Sequence, residues 1–330
     1  MTVRAIAFTE QGMNLGRRLM SQYPHMTLER CSEGMLKEWT QNAFQTAEAL
    51  LFIGAAGIAV RAIAPYIQKK DSDPAVVVMD ELGRFTIPLL SGHIGGANEL
   101  AVQLGRSIGA QPVITTATDI NGVFAIDTWA KKQGLLILNP ERIKWISARL
   151  LSGETIHINS LYPIRGTVPD GVLLEDKAYD VLITHRTKGK EDVLRLIPPA
   201  VTLGIGCRKG ISADAIEEAF VSMLGKASCH AEAIRNVASI DLKKNEPGIL
   251  EFCARHSLPF ETFSADELSS AEGNFTASAF VESITSVNNV CERAAVLASG
   301  GKLLSSKQAG NGVTMALAIK EPLLRFEEGL

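Results

Sequence analysis

Over its first 140 residues the chain alternates short apolar runs with helix-period patterns, which predicts an α/β domain with a mostly parallel sheet flanked by helices. A shorter alternation of the same kind follows the stiff Pro198-Pro199 connector and predicts a second, smaller α/β domain. Between the two, one helical stretch and scattered strand-like runs among Pro and Gly loops read as a small α+β segment. The expected domains are 1–134, 135–199 and 200–330, in keeping with about 150 residues per domain in a chain of 330.

In order along the chain, Val3–Phe8 is strand-like and Gly12–Met20 reads as a helix. Met26–Cys31 is a second strand, followed by a helix through Leu36, Trp39 and Phe44. Ala49–Ile53 is an unbroken apolar run, the signature of a strand buried on both faces. Gly57–Ile67 sets Ile58, Ile63 and Ile67 at helical spacing. Ala75–Met79 is the clearest strand, and Phe85–Leu90 is a further strand or an edge piece. Glu99–Ile108 and Val123–Lys132 are helical, with Pro112–Ile114 a short strand between them. In the middle segment Arg142–Leu151 is helical, and Thr155–Asn159 and Tyr179–Thr184 are strand-like. Beyond Pro199, Val201–Ile205 is a strand and Ser212 caps a helix with Ala215, Ile216, Ala219 and Phe220 on one face. Strands Ile234–Ile240, Pro259–Phe263 and Gly312–Ile319 and helices Gly248–Arg255 and Val290–Leu297 complete the pattern.

Composition removes several function classes. Hydrophobic residues are 46% and charged residues 21% of the chain, enough to bury large cores and too balanced for a disordered tail, a fibre or a coiled-coil rod. With 33 basic and 36 acidic side chains the net charge is −3, and no region departs far from neutrality. A dedicated nucleic-acid binder needs a basic surplus to release counterions, so no nucleic-acid partner is expected. An anionic ligand would have to be held by local side chains rather than by the field of the whole surface. The five cysteines are widely spaced and never form C-x-x-C, which suits reduced thiols in the cytoplasm. The first eight residues turn polar too quickly for a signal peptide. The longest apolar stretch, Ala47–Val60, is broken by Glu48, Gly54 and Gly57 and falls short of the roughly 18–20 residues that span a membrane.

The richest chemistry lies in Ser91-Gly92-His93-Ile94-Gly95-Gly96-Ala97-Asn98-Glu99, between a strand-like run and a helix. Gly92, Gly95 and Gly96 let backbone amides approach a ligand closely, and His93 with Glu99 supplies a proton-transfer pair. Read alone, the segment is also a tight loop with Asn98 capping a helix and Glu99 on the surface. It is neither a Walker loop nor a G-x-S-x-G elbow, which removes support for nucleotide hydrolysis and for an esterase. Gly54–Arg61 is a second small-residue turn, in which Gly57 admits a ligand and Arg61 could clamp a carboxylate. Thr115, Thr116, Thr118 and Asp119 form a third, able to cap a helix or bind polar groups. Three such turns, each after an apolar strand, are expected to converge on one edge of a parallel sheet. In the C-terminal domain Gly206, Cys207 and Arg208 lie on a strand-to-helix turn suited to carboxylates or phosphate. A reactive Cys207 would need a depressed pKa, and a small buried thiol is the competing reading. Neither Cys229-His230 nor Cys253 with His256 has a second pair at zinc-ligand spacing, and His25, His157 and His185 read as structural or surface residues.

These segments together resemble the CbiG family. The resemblance rests on Gly57–Pro65, Asp73–Asp80, the Ser91–Asn98 run and Pro112–Asp119, with Leu203–Gly210 and Cys291–Ala295 similar to the family's C-terminal domain. It implies the cobalt-precorrin-5A hydrolase step of anaerobic cobalamin biosynthesis. That reaction opens a δ-lactone on a polycarboxylate tetrapyrrole and expels a two-carbon fragment as acetaldehyde, giving cobalt-precorrin-5B. The cobalt belongs to the substrate, so no protein metal site or other cofactor is expected. A homodimer and transient contact with other corrinoid-pathway enzymes are compatible with the resemblance.

On this reading His93 is the general base for water, Glu99 orients it or relays a proton, and Asp119 or Asp80 takes a proton from the freed hydroxyl. Amides of Gly95 and Gly96 would stabilise the oxyanion, worth on the order of 3–4 kcal/mol for a well-placed donor. Ser91, Gly92, Asn98, the three threonines, Asp80, Gly57 and Arg61 would line the substrate site, with Gly206, Cys207 and Arg208 contributing from the C-terminal domain. The rival reading from another class is a non-enzymatic carrier of corrinoid intermediates, and a nucleotide or sugar-phosphate binder is a third. Release of acetaldehyde separates the first two, and thermal stabilisation by nucleotides would mark the third.

Overall fold

The computed structural model describes residues 1–69, 72–93, 95–277 and 288–326, which form two compact units, Met1–Trp129 and Ala130–Leu330. In the first unit the chain runs β1 (Val3–Ala7), α1 (Glu10–Met20), β2 (Met26–Arg30), α2 (Met35–Thr46), β3 (Ala49–Ile53), α3 (Ala56–Ile63), β4 (Ala75–Met79) and β5 (Phe85–Leu90). It continues through α4 (Ala97–Ile108), β6 (Gln111–Pro112), α5 (Ala117–Ile120) and α6 (Ile126–Lys132). The six strands form one sheet in the order β2-β1-β3-β4-β5-β6. Both faces are covered, which is why β3 and β4 read as unbroken apolar runs rather than alternating ones. Leu51, Ile53, Val77 and Met79 pack with Leu15, Leu19, Leu100 and Leu104 of α1 and α4. Leu50, Phe52, Val76 and Val78 pack on the other face with Trp39, Ala59 and Ile63 of α2 and α3.

The direction of β5 decides where the chemistry lies. Strands β1 to β4 are parallel, but β5 runs antiparallel to β4, pairing Met79 with Thr86 and Val76 with Leu90. Its last residue therefore lies beside the start of β4. Strand β6 runs parallel to β5, so the turn after β6 leaves at that same margin. The expected convergence of three turns is thus corrected to two. The Ser91–Glu99 and Thr115–Asp119 segments share the margin where the parallel strands begin, whereas Gly57, Arg61 and Asp80 follow the ends of β3 and β4. A five-residue strand separates these margins by on the order of 16 Å.

The second unit holds two five-stranded sheets. Strand β7 (Leu136–Ile137) and helix α7 (Glu141–Leu151) lead to β8 (Ile156–Ser160), β9 (Ile164–Arg165), β10 (Val172–Leu174), β11 (Val181–Ile183) and β12 (Leu194–Ile197). Its first sheet has the order β10-β8-β11-β12-β7, parallel except for β7. His185, read from sequence as a structural or surface residue, is structural: it is buried there, and its Nδ1 meets the Tyr162 hydroxyl at 2.6 Å. The chain then forms β13 (Val201–Cys207), α8 (Ala213–Ala227), β14 (Ile234–Ile240), α9 (Pro247–His256), β15 (Phe260–Phe263) and α10 (Ala265–Ser270). Helix α11 (Cys291–Ser299), β16 (Lys302–Gly310), β17 (Val313–Ile319) and β18 (Leu324–Arg325) complete it, with β18 beside β9. The second sheet is β15-β14-β13-β17-β16, in which β17 is antiparallel to both neighbours. Ser212 caps α8 as expected, its Oγ accepting the Ala215 amide at 3.2 Å. No helix among the described residues is long and apolar enough to cross a membrane.

Candidate active site

The loop from Ser91 to Gly96 is bound tightly to the start of α4. Ser91 sits at φ 56°, donating from Oγ to the Asp73 carbonyl (2.9 Å) and accepting the Ala97 amide (3.1 Å). Gly92 accepts the Asn98 amide at 3.0 Å, and His93 accepts the Gly96 amide at 2.9 Å. A Cβ on Gly95 would lie 2.2 Å from that of Ser91 and 2.6 Å from its carbonyl oxygen, so only glycine fits there. Gly96, at φ 88°, takes the N-cap position that the sequence suggested for Asn98. The Asn98 amide nitrogen instead bridges Thr116 Oγ1 and Asp119 Oδ2, each at 2.9 Å.

This weave holds the His93 ring between two carboxylates. Its Nε2 lies 2.8 Å from Asp119 Oδ2 and 3.1 Å from the Thr118 hydroxyl, while Nδ1 faces Asp127 Oδ2 at 3.4 Å. Asp127, in the first turn of α6, is buried at 6% exposure and accepts the Thr128 amide at 2.9 Å. The Asp119 side chain is 38% exposed and opens to solvent. Hydrogen bonding to Asp127 foremost, opposed by burial and reinforced by Asp119 and both charges, pushes the His93 pKa up to about 9. Burial alone would raise Asp127, but its bond to the His93 cation, that charge and the Thr128 amide hold it below the usual carboxylate range.

Other expected site residues go elsewhere. Glu99 does not join His93; it projects from the exposed side of α4 and accepts from Gln103 Nε2 at 3.3 Å, one helical turn along. Asp80 is committed to the β4–β5 turn, accepting the amides of Leu82, Arg84 and Phe85 at 3.0, 2.9 and 2.7 Å. The Arg61 guanidinium folds back over Gly57, 3.6 Å from where a Cβ would lie, at the far margin of the sheet. Thr115 is exposed, whereas Thr116 and Thr118 enter the cluster. In the second unit the Gly206 carbonyl accepts from Thr314 Oγ1 at 3.2 Å, and Arg208 lies along Gly312. Burial pushes the Cys207 thiol up to about 11, the reverse of the depressed value a nucleophile needs.

Asp127 was not singled out from the sequence, although a signal for it exists. Ile126 and Trp129 flank it and are buried at 0% and 5% exposure, so the first turn of α6 is drawn into the core with its carboxylate. A buried acid demands a partner, and His93 is that partner.

An imidazole beside a solvent-facing carboxylate, on a loop closed by glycine, is an arrangement that can move protons to and from a bound ligand. Residues 38–119 match the family described as cobalamin synthesis G N-terminal, and residues 201–318 match cobalamin synthesis G C-terminus. A cobalt-precorrin-5A hydrolase from Salmonella typhimurium is 35% identical, covering 96% of this chain and 97% of its own length. A second protein of that description, from Priestia megaterium, is 32% identical over 87% of this chain and 82% of its own. The crystal structure of a cobalamin biosynthesis protein G homologue from Sulfolobus solfataricus aligns over 96% of this chain and 97% of its own, with 24% identity and a TM-score of 0.42. The chain belongs to the CbiG family.

Proposed function

We propose that the His93–Asp119 cluster is where this enzyme, a hydrolase of cobalt-precorrin-5A, opens the δ-lactone of its substrate. The near full-length identity to the Salmonella typhimurium enzyme carries the reaction, and the 2.8 Å contact between His93 Nε2 and Asp119 carries the site. The expected role of His93 changes. A histidine that is already cationic at neutral pH cannot accept a proton from water, so His93 donates and the exposed Asp119 carboxylate accepts. Water attacks the lactone carbonyl and yields a proton to Asp119. As the carbon–oxygen bond breaks, Nε2–H protonates the departing ring oxygen. The 2.8 Å contact then returns the proton from Asp119 to Nε2.

Because the Gly96 amide is bound to the His93 carbonyl, oxyanion stabilisation falls to the Gly95 amide and to the imidazolium itself. In the second stage the freed hydroxyl loses its proton to Asp119 and its carbon–carbon bond breaks. The two-carbon fragment leaves as acetaldehyde, and the bonding electrons pass into the macrocycle, which takes up a proton. One water is consumed for each acetaldehyde formed.

The purified protein, given cobalt-precorrin-5A, is expected to release acetaldehyde, and His93→Gln to lose about 100-fold or more of that rate. Turnover by His93→Gln within a few-fold of wild type would sink the site. Tight binding of the tetrapyrrole with no acetaldehyde would instead favour the carrier reading.

A further inference from the structure

A donating His93 needs a partner that keeps its ring charged and aimed. We propose that Asp127 is the positioning residue of the site: from its buried place at the start of α6 it fixes the His93 ring with Nε2 outward and holds it as a proton donor. The proposal rests on the assignment of His93 to the reaction, and Asp127 lies beyond residues 38–119, which the N-terminal family description matches.

Geometry separates the two carboxylates on the ring. Asp119, on α5, is exposed, shares Nε2 with the Thr118 hydroxyl and accepts a second bond from Asn98 of α4, so water and substrate can compete for it. Asp127, on α6, is shut from solvent and faces Nδ1, the nitrogen turned away from the opening. These are the acidic and hydroxyl groups placed against the ring from each described element around it. A buried carboxylate paired with a cationic imidazole cannot exchange that partner for water without a large desolvation cost, so the pair stays ionised while Asp119 cycles. The hydrogen bond to Asp127 raises the His93 pKa more than the bond to Asp119 does. Asp127 also fixes the ring: a flip would put Cδ2 in place of Nδ1 against Asp127 and Cε1 in place of Nε2 against Asp119, and both pairings would be lost.

The test reads the ring directly. Histidine labelled with ¹³C and ¹⁵N, with the His93 signals assigned by their loss in His93→Gln, gives the titration midpoint in the substrate-free enzyme. The wild-type midpoint is expected near 9, and in Asp127→Asn at about 8 or below. The alkaline limb of the pH profile of kcat/KM for acetaldehyde release should fall by the same interval, and Asp127→Glu should restore much of both. An Asp127→Asn enzyme that loses activity at every pH with an unmoved midpoint would overturn the proposal, because a merely structural residue behaves that way. If Asp127→Asn does not fold, Asp119→Asn decides. Its midpoint should remain well above the ordinary histidine value, and a fall to that value would assign the ring's charge to Asp119 instead. Near wild-type turnover by His93→Gln, with the midpoint still sensitive to Asp127, would defeat the reaction site while leaving the pairing intact.

Discussion

At the scale of single residues, the His93 pairing is also a stability element with a defined pH window. Its value in the fold, near 9, lies above the ordinary 6.5. The pairing therefore stabilises the fold fully below about 6.5 and is lost as pH rises through about 9. The gap in unfolding temperature between wild type and His93→Gln should be widest near pH 6 and close toward pH 10; a constant gap across that range would contradict the pairing. His93 and Asp119 were legible in the sequence because they lie in a glycine-dense loop and a hydroxyl-rich turn. Asp127 was not, because burial of a helical acid depends on which face of α6 meets the core. Glu99 misled because helical proximity to His93 says nothing of direction. It lies six residues from His93 in the chain, yet its side chain bonds one turn further along α4.

At the scale of elements, β3 and β4 match their sequence reading to the residue, since an unbroken apolar run between polar or Gly turns leaves little choice of boundary. The position of β5 was equally legible and its direction was not. Apolar periodicity is blind to strand direction, but connection length is not. Only residues 80–84 separate β4 from β5, too few for a parallel crossover, which needs a dozen or more. That hairpin rests on Asp80, whose carboxylate takes three backbone amides. Asp80→Ala should lower stability by about 1–3 kcal/mol in urea titration, and an unchanged midpoint would show the turn to be self-sufficient. Strand β16 went unread, although Asn311-Gly312, both at positive φ, join it to β17 in the manner of a two-residue hairpin. Lys302–Gly310 hides that strand behind two serines, two lysines and a glutamine that leave no clear alternation.

At the scale of the whole molecule, a net charge of −3 gives no surface field to attract an anionic ligand, and the relatives are hydrolases of a cobalt-precorrin. Recognition of a polycarboxylate must then be local, and the first unit divides its polar turns between opposite margins of one sheet. The reversal of β5 has a kinetic consequence. Among the described residues, the groups that pair with the His93 ring (Thr118, Asp119 and Asp127) come from chain beyond β5, at the side of the sheet closed by β6, a strand of two residues. Such a margin is the natural first piece to open in a partial unfolding event, while β2, β1, β3 and β4 stay protected. Acetaldehyde release should therefore fail at lower urea than the far-ultraviolet circular dichroism, and backbone amides of 86–120 should exchange hydrogen faster than those of β3. Coincident loss of both signals would place the site in the same cooperative unit as the rest. Loss of activity first would make this enzyme a sensor of its own fraying, silenced reversibly while most of its chain remains folded.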